Sequence, residues 1–156
     1  MDTDRPDLAS SESALVPTLT VWALRAALSY LGTGVTLGAV MLAARGFSSV
    51  SAALRYRPLH AELLLVGWMV QLGFGVAYWI LPHRPGSDRG GERLAWGALL
   101  LLNLGIWSVG VGAMFDAPAG VLVAGRSAEL LAAMVFATHA WPRVRAYSLR
   151  SDVRHR

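Results

Sequence analysis

The segment HAELLLVGWMVQLGFGVAYWILP, from His60 to Pro82, is the feature that most constrains what this chain can fold into. As a helix, His60 to Leu81 would be about 33 Å long, and the hydrocarbon core of a bilayer is about 30 Å thick. The segment nevertheless carries a histidine at its start and a glutamine in its middle, and polar groups are costly inside a membrane. We therefore expect these side chains to face other helices or a bound group rather than lipid.

A helical wheel places five polar or small residues of this segment on one stripe. At about 100° per residue, all of them lie within about 60° of the direction of His60. Glu62 and Met69 fall on the other side of the wheel. The wheel therefore predicts that the stripe is the interior face of the helix. The stripe consists of His60, Gly67, Gln71, Gly75 and Tyr78.

The composition indicates that this segment is one of several membrane spans. The chain has 156 residues, of which 54% are hydrophobic, and its mean hydropathy is +0.46, which is too apolar for an ordinary soluble domain. Because the connections are short, sequential helices are expected to be antiparallel neighbours. We predict an all-α polytopic membrane protein, a four-transmembrane-helix bundle with up-down-up-down topology. Its spans run from about Leu19 to Ala44, from His60 to Leu81, from about Leu94 to Met114 and from about Pro118 to Trp141.

The distribution of arginine predicts the orientation of the bundle. All fourteen basic residues are arginine; ten lie on the side of the two termini, three lie on the opposite side, and Arg126 lies within a span. Positive charge is enriched on the cytoplasmic side of membrane proteins. We therefore predict a multi-pass protein of the cell inner (plasma) membrane with both termini in the cytoplasm.

Three regions follow from this topology. Residues 1–17 are acidic and rich in serine, the reverse of the basic start of a signal peptide, and we predict that they form a disordered acidic N-terminal tail. Residues 18–142 form the four-helix transmembrane domain, and residues 143–156 form a basic cytoplasmic tail. The tail is short and lies directly beside the membrane, so we expect it to contact anionic lipids and no nucleic acid. The chain has no cysteine, which excludes disulfides, cysteine-ligated zinc and iron–sulfur clusters.

The first predicted helix has a polar face and a small face. Ser29, Thr33 and Thr36 lie on one side, and Gly34 and Gly38 lie on the opposite side. Two small residues four apart allow a close contact with a neighbouring helix. The alternative is that these glycines reflect only the general abundance of glycine in membrane helices.

The fourth predicted helix carries two charged residues in its hydrocarbon region. Arg126 and Glu129 are three residues apart and can therefore meet on one helical face. Since isolated charges are costly there, we expect them to pair with each other or with Asn103 or Gln71. Arg126 could hold a haem propionate or belong to a proton relay; the alternative is a structural ion pair.

The histidines are the candidate metal ligands. A neutral imidazole can bind haem iron or copper, and Gly67 and Gly75 on the stripe of His60 would leave room for a flat macrocycle. The alternative is that His60 is a histidine at a helix start, bonded to water or to a carbonyl. His83 and His139 lie at the other end of the bundle without a carboxylate cluster nearby, which does not favour a metal site there.

The segment from Arg57 to Pro82 resembles the second transmembrane helix of the catalytic subunit of haem–copper oxidases. It is most similar to the branch that contains the nitric oxide reductases and the cbb-type oxidases. The shared features are a histidine soon after a proline, a glycine seven residues later at Gly67, a Gly-aromatic-Gly motif at 73–75 and the final proline. In that family the histidine is an axial ligand of the low-spin haem. The resemblance therefore implies haem as a cofactor, with His60 bound to its iron.

The resemblance covers one helix of four. Counterparts of the helices that carry the second haem ligand and the catalytic-metal histidines are absent from the sequence, so a complete oxidase is not implied and no catalytic residue is assigned. It implies a membrane protein similar to part of subunit I, binding haem for electron transfer or serving a respiratory complex. A homo-oligomer or larger respiratory-complex subunits would be its partners. The alternatives are a non-redox assembly or structural protein without haem, and a proton or solute pathway. The candidate cofactor-binding residues are His60, Gly67, Gln71, Gly75, Tyr78 and Arg126.

Overall fold

The computed structural model describes residues 16–46, 53–81 and 90–154, and these residues form four long helices. All four are long and apolar enough to cross a membrane, and no strand occurs in the described residues. The prediction of an all-α protein with four spans is therefore confirmed. The helices are α1 at Thr18–Ala44, α2 at Arg57–Ile80, α3 at Gly90–Met114 and α4 at Ala119–Arg154.

Helices α1 and α2 run antiparallel. The Thr20 hydroxyl, near the start of α1, donates to the Gly75 carbonyl near the end of α2 at 3.3 Å. Gly38, near the end of α1, lies against His60 near the start of α2. α1 packs mainly on α2, and α4 packs mainly on α3. The two pairs of helices meet mainly where α2 packs on α3. We call the end of the bundle where α2 starts the His60 end, and the opposite end the Tyr78 end.

Helix α2 changes its winding along its length. It is α-helical at Arg57–Glu62, π-helical at Leu63–Val70 and α-helical again at Gln71–Ile80. It starts three residues before the predicted span, with Pro58 in its first turn, where a proline costs no hydrogen bond. Leu81 is extended, with ψ of 130°, as expected for a residue that precedes proline. Because a π-helix has wider turns, an ideal α-helical wheel describes this span only approximately.

The ends of α3 and α4 differ from the predicted spans. α3 begins at Gly90, four residues before the predicted start of its span at about Leu94; residues 82–89 lie outside the described residues. α4 begins at Ala119, one residue after Pro118, which we had expected inside its first turn. A tight turn joins α3 to α4, and Asp116 adopts a positive φ of 53° there, a conformation that aspartate tolerates better than most residues.

Helix α4 continues beyond its apolar part. Its membrane-compatible portion is Ala119–Val144, but the helix passes Pro142 and runs to Arg154. The basic segment 143–156 therefore begins inside a helix, and its cytoplasmic location stays a prediction. Of the predicted acidic tail, residues 1–15 lie outside the described residues.

The core consists of two apolar clusters, one in the middle of the bundle and one at the Tyr78 end. The outer surface of the helices is also apolar: Leu28, Leu65, Leu100 and Leu130 are each at least 59% exposed. Lipid tails are suitable neighbours for such side chains. The central cluster contains Tyr30, Leu59, Leu63, Leu102, Ile106 and Ala132, and the cluster at the Tyr78 end contains Leu19, Ala23, Tyr78, Ala95 and Leu99.

Candidate functional site

His60 is held against α1. Its Nδ1 atom lies 2.7 Å from the carbonyl oxygen of Gly34. A Cβ atom built on Gly38 would lie 2.8 Å from Cε1 of the imidazole, and one built on Gly34 would lie 2.7 Å from Leu64. The two glycines of α1 therefore provide the close helix contact that their spacing predicted.

The glycines on the stripe of α2 are also covered by α1. A Cβ atom on Gly67 would lie 2.9 Å from the ring of Tyr30, and one on Gly75 would lie 3.1 Å from the Cβ atom of Ala23. The prediction that the stripe faces the interior is thus confirmed. The space beside these two glycines, where a macrocycle was expected, is filled by the side chains of α1.

Gln71 and Asn103 form the centre of a polar network that joins α1, α2 and α3. Gln71 is fully buried, and its Oε1 accepts a hydrogen bond from Asn103 Nδ2 at 3.0 Å. The same nitrogen donates to the Leu99 carbonyl at 2.7 Å. The Tyr30 hydroxyl donates to Asn103 Oδ1 and accepts from Trp107 Nε1. The two amides are therefore hydrogen-bonded to each other, and Asn103 is also bonded to Tyr30. We had expected them as partners of the charged residues of α4.

Replacing Asn103 with leucine is expected to lower the free energy of unfolding by about 1–3 kcal/mol, because Gln71 and Tyr30 would lose buried hydrogen-bond partners. Unfolding in mixed detergent micelles measures this difference. Ser108→Ala is the matched control on the same helix, since that hydroxyl bonds only to the carbonyl of Leu104 in its own helix. Equal stability of the two variants would contradict the importance of the network.

Arg126 is bound by two carboxylates. Its Nη2 lies 2.6 Å from Oε2 of Glu62, and its Nη1 lies 3.0 Å from Oε1 of Glu62 and 2.7 Å from Oε2 of Glu129. Glu62 is only 4% exposed and the Glu129 side chain is 10% exposed. The predicted pairing of Arg126 with Glu129 is confirmed. The two-point contact with Glu62 is the stronger geometry, and the sequence did not lead us to it.

Glu62 was not predicted to be a site residue, because the helical wheel was interpreted with a single interior face for α2. In the structure α2 is covered on both sides: α1 lies over His60, and α3 lies over the opposite face, where Gly110 contacts Leu59 and Glu62. A signal was present, since a carboxylate inside a span is a site residue by default. The guanidinium of Arg126 is already bound by these two carboxylates, and a role for it toward a cofactor stays a prediction.

Tyr78 lies at the other end of the bundle from His60. Along a helix, the 18 residues between them correspond to about 27 Å. The Tyr78 ring is stacked with the His139 ring at a centroid distance of 5.8 Å, and Cζ of Arg143 lies 5.2 Å from its centroid. The structure therefore places the two ends of the predicted stripe in separate environments.

A cavity opens at the His60 end between α1 and the start of α2. Its volume is about 440 Å³, within the range of small-molecule sites. Of the five stripe residues, His60 alone lines it. The glycine beside the imidazole, three apolar side chains and two arginines complete the lining, and the sequence had not grouped these residues. They are Gly38, Met41, Leu42, Leu54, Arg45 and Arg57.

The two ring nitrogens of His60 lie in different environments. A carbonyl at Nδ1 favours the tautomer with the proton on that nitrogen, which leaves the lone pair on Nε2. Within the described part of the chain, no group is hydrogen-bonded to Nε2. No cluster of three or more histidine, cysteine or acidic residues that could hold a bare metal ion occurs in the described residues. Haem brings four nitrogen ligands of its own and needs only one or two from the protein.

No protein-family model, no curated protein and no solved structure matches this chain. The class that can be stated is therefore structural: a polytopic membrane protein of four helices. Its similarity to oxidase subunit I stays a prediction from the residues of α2.

Proposed function

We propose that this protein is an inner (plasma) membrane haem protein, related to part of haem–copper oxidase subunit I, that binds haem in the cavity beside His60. Its role would be electron transfer, alone or as a subunit of a respiratory complex. The observation that carries the proposal is the imidazole of His60, fixed at Nδ1 by the Gly34 carbonyl and facing a cavity with apolar walls.

The lining of the cavity has the chemistry that haem requires. Met41, Leu42 and Leu54 supply apolar walls for the macrocycle, and Arg45 and Arg57 supply cations that can form paired hydrogen bonds with propionate carboxylates. Met41 also brings a thioether, which is a known haem-iron ligand in electron-transfer proteins. Haem, when bound, supplies one-electron chemistry. The lining residues of the cavity would hold and orient it.

The arginine distribution supports a location of this cavity on the outer side of the membrane. The side predicted to be cytoplasmic carries ten arginines, while Arg45, Arg55 and Arg57 lie near the His60 end, and positive charge favours the cytoplasmic side. A haem beside His60 would then be near an external electron carrier. A second copy or a larger respiratory subunit would be placed to supply a further axial ligand.

The visible spectrum of the purified full-length protein, with haem supplied during expression or afterwards, tests the proposal. We expect a Soret band for the wild type and its loss in His60→Ala, because the iron loses its ligand. His139→Ala is the matched control and should keep the band, since that histidine stacks on Tyr78 at the other end. A wild type without a Soret band, or a His60→Ala variant that retains it, would contradict haem binding at His60.

A pair of glycine variants tests the location of the haem. A leucine at position 38 would press on the imidazole, because even its Cβ atom would lie 2.8 Å from Cε1 of His60. We expect Gly38→Leu to lose most of the bound haem. Gly32→Leu is the control on the same helix, since no atom lies within 4 Å of a Cβ built there. Equal haem content in the two variants would argue against the cavity.

A non-redox assembly or structural role is the second candidate. It is favoured by the close helix contacts at Gly67, Gly75 and Gly110, which complete the packing of α1, α2 and α3 without any cofactor. Under this role the purified wild type would lack a Soret band and would co-purify with larger respiratory subunits. A haem-free protein that co-purifies with no such subunit would count against this second role.

A further inference from the structure

We propose that Tyr78, His139 and Arg143 form a binding site for a phosphate group at the Tyr78 end of the bundle. This site is distinct from the cavity beside His60 and does not depend on haem. Its basis is a buried cationic side chain for which the described residues supply no anion.

Arg143 is the main observation. The residue is only 8% exposed, and its Nη1 atom is buried without a hydrogen-bond partner among the described residues. Both ion pairs found among those residues belong to Arg126. The contact that the guanidinium does make is with the ring of Tyr78, 5.2 Å from the centroid. A ring face attracts a cation, but it does not replace the oxygen acceptors that a buried guanidinium requires.

His139 supplies a second unsatisfied group at the same place. It precedes Arg143 by four residues on α4, so the two side chains are neighbours on one helical face. Its ring is stacked on Tyr78, with 14° between the planes, and its Nε2 atom is buried without a partner in the described residues. In the tautomer that carries its proton on Nε2, His139 is a second donor beside Arg143, and neither nitrogen has a partner in the described residues. A phosphate group has several oxygens and negative charge, and it suits arginine particularly well.

The position along the helix favours phosphate over other anions. Arg143 is the penultimate residue of the apolar portion Ala119–Val144, which places it near the level of the lipid headgroups. Trp79 and Trp141, at the same end, are 51% and 66% exposed, and tryptophan is enriched at the membrane–water boundary. Lipid phosphates lie at this level, and free phosphate can reach it from the water. The ligand chemistry is the same in both cases.

Native mass spectrometry of the full chain in detergent tests for the lipid source. Phosphatidylglycerol and a diacylglycerol with the same acyl chains, which has no phosphate, are added at equal concentrations, so retention that depends only on apolar contact is the same for both. We expect the wild type to retain phosphatidylglycerol preferentially and Arg143→Gln to lose this preference at least tenfold. His139→Gln should lower this preference about threefold. Arg93→Gln is the matched control, because that arginine is exposed at the same end, and it should behave as the wild type.

Thermal unfolding with inorganic phosphate tests for the soluble source. A melting temperature that rises with phosphate in the wild type and in Arg93→Gln, but not in Arg143→Gln, would support a free phosphate as the ligand. Far-UV circular dichroism checks that each variant is folded; if Arg143→Gln is not, His139→Gln decides in its place. The proposal is overturned if the wild type neither retains phosphatidylglycerol preferentially nor gains melting temperature with phosphate. It is also overturned if Arg143→Gln, or His139→Gln where Arg143→Gln does not fold, binds as the wild type does.

Discussion

Arg126→Leu is expected to lower the free energy of unfolding by about 3–5 kcal/mol, the usual cost of leaving a buried charge without its partner. The variant would leave the carboxylates of Glu62 and Glu129 close together, since both bind the same guanidinium nitrogen. Both carboxylates are at least nine-tenths buried, whereas the Arg126 side chain is 53% exposed, so the cost comes from the two carboxylates that lose their cation. Unfolding of the purified protein in mixed micelles measures the loss.

A triple variant separates the effect of charge from that of packing. Glu62→Gln and Glu129→Gln, combined with Arg126→Leu, remove all three charges. Each glutamine is nearly the same size as the glutamate that it replaces. Because neutral replacements of a buried ion pair are often tolerated, we expect the triple variant to regain most of the lost stability. If it is as unstable as Arg126→Leu alone, the loss comes from the packing of the arginine side chain and the electrostatic explanation is wrong.

Gly105→Leu is expected to separate α3 from α4 at a cost of about 3 kcal/mol, the upper part of the usual range for overpacking. A Cβ atom at this position would lie 2.5 Å from Cγ of Glu129 and 2.8 Å from the carbonyl oxygen of Gly125. The carbonyl belongs to the backbone of α4 and cannot rotate away. The helices must therefore move apart, and Glu129 would be displaced from Arg126.

Gly97→Leu is the control for this prediction. It lies on the same helix, and no atom is found within 4 Å of a Cβ atom built there. Its stability should remain within about 0.5 kcal/mol of the wild type, as is usual for substitutions away from packed contacts. Similar melting temperatures for Gly105→Leu and Gly97→Leu would show that the close approach of α3 and α4 is not required.

The stripe on α2 shows what helical periodicity can predict and what it cannot. Its residues were predicted to face the interior because lipid offers polar groups no partners, and Gln71, Gly75 and Tyr78 are indeed buried. Periodicity gives the direction of a side chain relative to its own helix. It does not give the partner, so it could not foresee that Tyr30 covers Gly67 or that Asn103 binds Gln71.

The cavity at the His60 end could be predicted only in part. The histidine was identified from its position and from the resemblance of α2 to an oxidase helix. Its other lining residues come from the last turns of α1 and from the start of α2 and the residues before it, and they include Arg45 and Arg57, which had been counted only as markers of topology. Their grouping depends on how two helices cross, which is a property of the packed pair.

The sequence by itself determined that this chain has four helices able to cross a membrane, roughly where each one lies, and which face of α2 carries small and polar residues. These properties depend on side chains summed along one segment or around one helix. The tertiary structure alone decided that α2 is covered on two faces, so that Glu62 meets Arg126 on one side while His60 meets Gly34 on the other. Each of these contacts joins residues far apart in the chain, and its energy exists only once the helices have packed.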